Sequence, residues 1–272
     1  MICPVTSPPR VKWPRKFDLF GVQVSATSYD EAEEAIIEAA NQHVPAVVSH
    51  NDVRALIDAS RDDGLREAAN SFEIVAPDGQ PVRWALNACH RTRLPSSVTG
   101  TELMLRLCRR AAREGLSIYL YGSTPKVSAA LQAELTRRWP ELKVAGVDCP
   151  PFRPLSSDED DAAVRKINES GASLVFLGLG YPKQDRFAFA HRESIRAVQL
   201  CVGAAFDFIS GQKKRAPRWM QRRGLEWLFR LLQEPRRLGY RYLVNNTLFL
   251  GKLAAALLVR APRPVNPSNN QQ

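Results

Sequence analysis

The residues best placed for chemistry are polar side chains that directly follow short apolar runs. In Ala76-Pro77-Asp78-Gly79, Asp78 closes a run beside a glycine. A carboxylate there is exposed yet held by rigid backbone, as a general base requires. An N-cap at a strand-to-helix turn explains Asp78 equally well. Ser49-His50-Asn51-Asp52 closes another run with a hydroxyl and an amide able to touch a substrate. Here too a helix cap at Asn51 or Asp52 is an alternative.

Gly178-Leu179-Gly180-Tyr181-Pro182-Lys183-Gln184-Asp185 carries the strongest ligand signal. Gly178 and Gly180 allow a ligand close to the backbone, and Lys183 and Gln184 supply donors on the first helical turn. The third glycine of a dinucleotide fingerprint is missing, which argues against a nucleotide-dependent oxidoreductase. Gly203-Ala204-Ala205-Phe206-Asp207-Phe208 ends in an acid between two rings. That acid needs a partner, either a ribose or base edge or a basic neighbour such as Arg215. Tyr121-Gly122-Ser123-Thr124-Pro125 suits a helix start, which serves as phosphate cradle or as simple punctuation.

The histidines, His43, His50, His90 and His191, are dispersed, and neither D-x-D nor H-x-x-H occurs, so no metal and no cofactor are expected. No G-x-S-x-G elbow is present. Five scattered cysteines without a C-x-x-C pair indicate neither a disulfide framework nor a zinc site, consistent with a reducing cytoplasm.

Positioning these residues requires a sheet. β-Branched runs recur at Val22 to Ser25, Ala46 to His50, Glu73 to Ala76, Ser117 to Tyr121, Lys143 to Val147, Ser173 to Leu179 and Val198 to Val202. Capped helical patterns separate them, such as those after Ser28 and Thr99. Alternating strand and helix predicts an α/β fold with a Rossmann-like, mostly parallel sheet flanked by helices and a basic helical C-terminal appendage. The polar ends of the runs then gather at the carboxyl edge, where ligands bind in such sheets. The expected organisation is a disordered lead over 1–16, an α/β catalytic core over 17–211, a basic helical appendage over 212–260 and a disordered tail over 261–272.

The appendage holds most of the charge. From Lys213 to Arg241, ten Lys or Arg stand against Glu226 and Glu234, leaving +8 of the chain's +10. Trp219, Trp227 and several leucines interleave with the arginines, a composition suited to a membrane interface. An inward-packed helix has the same composition. The longest weakly charged stretch, Thr247 to Val259, falls short of the roughly 20 apolar residues a span needs, so it is expected to lie on a membrane without crossing it. No nucleic-acid module accompanies the charge, and nucleic acid is not expected as partner. Removal of everything after Gly211 is expected to leave the fold intact. A non-catalytic membrane-surface or nucleic-acid-binding protein is the other alternative.

Taken in order, these blocks resemble the WecG/TagA/CpsF family of bacterial glycosyltransferases. The matching residues are Ser49-x-Asn51, Pro77-Asp78-Gly79, Val98-Thr99-Gly100-Thr101-Glu102-Leu103, Gly178 to Asp185, Gly203 to Asp207, and Lys214-Arg215-Ala216-Pro217 through Glu234-Pro235-Arg236-Arg237. The resemblance implies an inverting, metal-independent transferase in surface or capsular polysaccharide synthesis. Its donor would be a UDP-sugar of N-acetylmannosamine, uronic acid or hexose type, and its acceptor a polyprenyl-diphosphate-linked glycan. Asp78 would be the general base, assisted by Ser49 with Asn51 beside it. Gln184 and Asp207 would hold the uridine end, and Arg215, Arg222 and Arg223 would meet diphosphate. The enzyme would sit in the cytoplasm, peripheral on the anionic inner face of the cell membrane, with self-association possible in the family. Ser49 stands where the family has Thr, Asp185 where it has Glu, and Ser97 where Arg is usual.

Overall fold

The computed structural model describes residues 11–217, 219–220 and 223–260. At its centre are β3 (Ala46–Asn51), β4 (Ile74–Pro77), β5 (Ser117–Gly122), β6 (Lys143–Asp148), β7 (Leu174–Gly178) and β8 (Val198–Cys201). They form one six-stranded sheet in the order β4-β3-β8-β7-β5-β6, parallel at every pairing. Every residue of β4 and β8 is buried, whereas the edge strand β6 keeps exposed positions. Burial on both faces is why the run Leu174-Val175-Phe176-Leu177 shows no polar alternation.

Successive residues of that run feed two cores. Leu174 and Phe176 pack with Ile36, Leu103, Leu107 and Leu131, under α1 (Tyr29–Asn41), α5 (Gly100–Glu114), α6 (Pro125–Arg138) and α9 (Ala205–Ile209). Val175 and Leu177 pack with Ala68, Phe72, Tyr121 and Ile195, under α3 (Asp63–Ser71), α7 (Ser157–Glu169) and α8 (Lys183–Ala190). The expected α/β sandwich is therefore present, with the strand sites read from the sequence.

One strand was not legible. β1 (Lys16–Leu19) pairs antiparallel with β2 (Val22–Ser25) through a turn at Phe20 and Gly21, both with positive φ. Such a two-residue turn matches the twist of a hairpin. β1 straddles the boundary assigned between lead and core. Upstream of it Val11 and Trp13 pack against the main core, so residues 11–16 belong to the fold.

The hairpin, α2 (Val53–Ala59) and α4 (Gln80–His90) enclose a third core, closed by the C-terminal helix. After α10 (Glu226–Gln233), α11 (Pro235–Arg260) runs for 26 residues along α2 and α4. Its Phe249 is buried with Leu19, Leu56, Val82 and Leu86. Its other side leaves Leu243, Leu250 and Leu257 exposed. The apolar stretch is longer than the sequence suggested: Tyr242–Val259, 18 residues of mean hydropathy 1.4, is long and apolar enough to cross a membrane by length and composition. The uncharged residues from Tyr242 to Asn246 make the difference.

Candidate active site

The carboxyl ends of β3 and β4 settle both cap alternatives. Asp52 caps α2, its carboxylate accepting the Ala55 N–H at 2.9 Å, which leaves Asn51 out of the capping role. The cap of α4 is Gly79, whose φ of 83° favours glycine, with Pro81 in the first turn. Asp78 is thus outside the helix. Its N–H donates to the Asn51 carbonyl at 3.1 Å, and the Val98 N–H closes on Pro77 O at 2.9 Å. Asp78, Asn51 and the Thr99 start of α5 are brought together by backbone hydrogen bonds.

Beneath Asn51 lies a buried polar group. The Ser49 hydroxyl is 2.7 Å from Asp185 Oδ1 on α8 and 3.2 Å from Asn51 Oδ1. Burial pushes the Asp185 carboxyl up to about 6, against the opposing pull of the Ser49 hydroxyl and the Gln184 side chain. Asp185 Oδ2 and Gln184 Oε1 are buried without a hydrogen-bond partner. Gln184 lies against Gly203, where a side chain would come within 3.2 Å of its oxygen. Across the sheet, His50 Nδ1 meets the Cys201 carbonyl at 3.1 Å while Nε2 is buried and unpaired. Burial lowers the His50 pKa to about 4, so the ring is neutral at physiological pH with its proton on Nδ1.

Arg215 reaches this edge from the start of the basic segment. Its guanidinium is 3.5 Å from Thr99 Oγ1 and 3.9 Å from Glu102. Thr99 also receives Tyr29: the Tyr29 hydroxyl accepts the Thr99 N–H at 2.9 Å and lies 3.1 Å from Oγ1. Burial raises the Tyr29 pKa, and the negative charges of Asp78 and Glu102 add to that rise. Neither Tyr29 nor His50 was singled out from sequence. Thr99 stood only inside a motif block, where its hydroxyl carried no separate signal.

The remaining residues divide. Asp207, on α9, pairs with Lys213 at 3.2 Å, where sequence reasoning had offered Arg215. Gly178 lies under the Phe206 ring, 2.6 Å from where a Cβ would stand, so only glycine fits there. Gly180 has a φ of 78°, and its carbonyl accepts the Gln184 N–H at 3.1 Å. Arg223 is exposed on the appendage beside Gly224, which abuts Gln80 and Trp84 of α4. Arg222 lies outside the described residues. Thr124 caps α6, accepting the Val127 N–H, while Ser123 of the same turn lines the cavity described next.

A second feature occupies the same edge at the ends of β5, β6 and β7. A cavity of about 410 Å³ opens between Tyr121 and Phe187, the Pro150–Leu155 loop, Gly178, Ser123, Lys183 and Arg186. The Tyr121 and Phe187 rings stack with centroids 4.9 Å apart, and Lys183 Nζ donates to Phe152 O at 3.3 Å. An aromatic wall with cations at the rim suits a base joined to phosphates. Among the described residues no group of three or more His, Cys, Asp or Glu comes together as a metal site.

The fold is an α/β sheet of the kind that binds ligands at its carboxyl edge, and that edge carries an acid at one end and a cavity of about 410 Å³ at the other. The family model for the glycosyl transferase WecG/TagA/CpsF family matches residues 17–263. The chain belongs to that family and is a glycosyltransferase. The oxidoreductase and non-catalytic alternatives are set aside by that membership.

Proposed function

We propose that the protein transfers a sugar, with inversion and without a metal, from a UDP-sugar to a polyprenyl-diphosphate-linked glycan on the inner face of the cell membrane, in surface or capsular polysaccharide synthesis. The observation that carries this reading is the convergence of Asp78, Asn51 and the start of α5, which Arg215 reaches from the basic segment, on the edge that also holds the cavity. β4 and β7 are three strand spacings apart in the sheet, about 14 Å. A nucleotide sugar laid along the edge is suited to bridge that span, with its base against Tyr121 and Phe187 and its sugar towards Asp78.

In this reading Asp78 takes the proton of the acceptor hydroxyl as that oxygen attacks the anomeric carbon. The bond from that carbon to the diphosphate oxygen breaks on the opposite face, its electron pair leaves with UDP, and the single displacement inverts the centre. Arg215, with Arg222 and Arg223, stabilises the charge developing on the leaving group. Lys183 holds the nucleotide through its phosphates, with Gly178 and Gly180 letting it approach the backbone, while Gln184 helps hold its uridine end. Asp207 would exchange Lys213 for the ribose hydroxyls. The basic segment, with Trp219, Trp227 and the exposed leucines of α11, docks on anionic lipid.

A panel of UDP-sugars offered with a lipid-diphosphate-sugar acceptor in detergent tests the reading. Inverted product from at least one donor is expected, undiminished by a chelator. Failure to bind or consume any UDP-sugar overturns it.

A further inference from the structure

Ser49, Asn51 and Asp185 are respectively 1%, 2% and 5% exposed, so their polar atoms depend on partners within the protein, Gln184 among them. A hydroxyl has one proton to give. The short 2.7 Å contact to Asp185 Oδ1 claims it when that carboxylate is ionised, because a charged acceptor makes the stronger bond. Ser49 can then meet Asn51, 3.2 Å away, only as an acceptor, which requires the amide nitrogen of Asn51 to face it. The structure has Asn51 Oδ1 facing Ser49, the arrangement of a hydroxyl that donates to the amide; a hydroxyl committed to Asp185 turns that amide end for end, while the Asn51 backbone carbonyl holds the Asp78 N–H.

We propose that Asp185 is a positioning residue, whose ionised carboxylate takes the Ser49 proton and so fixes which end of the Asn51 amide is presented beside Asp78. The inference rests on the catalytic reading given above. Protonating Asp185 reverses the chain: its new O–H donates to Ser49, the Ser49 proton turns to the Asn51 oxygen, and the amide flips.

The surroundings leave this carboxylate able to change state near neutrality. The groups that face it are Asp52 at the cap of α2, the Cys201 thiol at the end of β8, the Tyr181 hydroxyl before α8, and the Ser49 and Gln184 side chains. Among the described residues no lysine, arginine or histidine pairs with it. Burial therefore dominates and raises its pKa to about 6.

The test has two arms. In the first, kcat and donor KM are followed against pH for wild type, Asp185→Asn and Asp185→Glu. Wild type is expected to lose kcat below about pH 6, following one proton. Asp185→Asn is expected to lower kcat at neutral pH roughly tenfold to a hundredfold, to leave donor KM within about twofold, and to abolish the acid limb. Asp185→Glu is expected to restore both. Wild-type kcat and an unchanged limb in Asp185→Asn would overturn the proposal.

The second arm needs no turnover: the ¹³C-carboxyl resonance of Asp185 is titrated in wild type and in Ser49→Ala. A midpoint near 6 that moves higher without the serine hydroxyl supports the chain, and an unmoved midpoint overturns it. Asp78→Asn separates the two readings. Full turnover in that variant sinks the base assignment, while the Asp185 titration still judges the positioning role.

Discussion

Asp185→Asn should make the protein more stable at neutral pH while making it a worse enzyme. The carboxyl rises from an ordinary 3.8 to about 6, a difference near two pK units. At about 1.4 kcal/mol per unit this corresponds to about 3 kcal/mol. The raised folded pKa fixes the sign. Above about pH 6 the native state carries a buried charge that the unfolded chain holds in water at no penalty. As pH falls from 6 to 3.8 the native state takes the proton first, and below 3.8 the penalty is gone. The amide, neutral throughout, should therefore gain up to about 3 kcal/mol above pH 6, and the gain should vanish near pH 4. For a chain of this length that is roughly 6–12 °C in Tm. Urea denaturation of wild type and variant, at neutral pH and near pH 4, gives the difference directly. No stabilisation at neutral pH, or a gain undiminished in acid, would refute the reasoning.

His50 should act in the opposite sense: with a folded pKa of about 4 against 6.5, stability is lost from pH 6.5 downward, by about 3 kcal/mol at pH 4. His50→Asn should flatten that limb in the same denaturation series. Gly178→Ala, which sets a methyl 2.6 Å from the Phe206 ring, should cost about 1–3 kcal/mol in urea denaturation, with Phe206→Leu recovering part of it. Phe249→Ala should cost about 3–5 kcal/mol by opening a cavity in the third core. For the same reason, truncation after Gly211 should lower the melting temperature of the remaining domain, against the sequence expectation of an intact fold.

The central strands were legible because each is a short β-branched run buried on both faces, which no other local structure explains as well. β1 was missed because Lys16-Phe17-Asp18-Leu19 follows a proline-rich stretch and carries two charges in four residues. Asp78 and Asn51 were legible as residues at strand ends. Whether they act or merely cap helices was not, because a cap depends on which of two adjacent residues enters the turn, and only the backbone shows Asp52 and Gly79 taking that place. The Ser49–Asp185 contact joins residues 136 apart in sequence, and no spacing rule links them. The cavity depends on the approach of the 150–155 loop to α8, which is likewise a tertiary event. The reach of Arg215 to Thr99 shows that the charge-rich segment, read from sequence as one lump, starts by returning to the sheet edge.

The most direct test of the account is single-turnover transfer from a UDP-sugar to a lipid-diphosphate-sugar acceptor by wild type and Asp78→Asn, with UDP binding measured on both. The account predicts that both bind UDP with similar affinity and that the variant forms product at least a hundredfold more slowly, within the range of general-base contributions of roughly 10²–10⁴. Product formed at the wild-type rate by Asp78→Asn would contradict it.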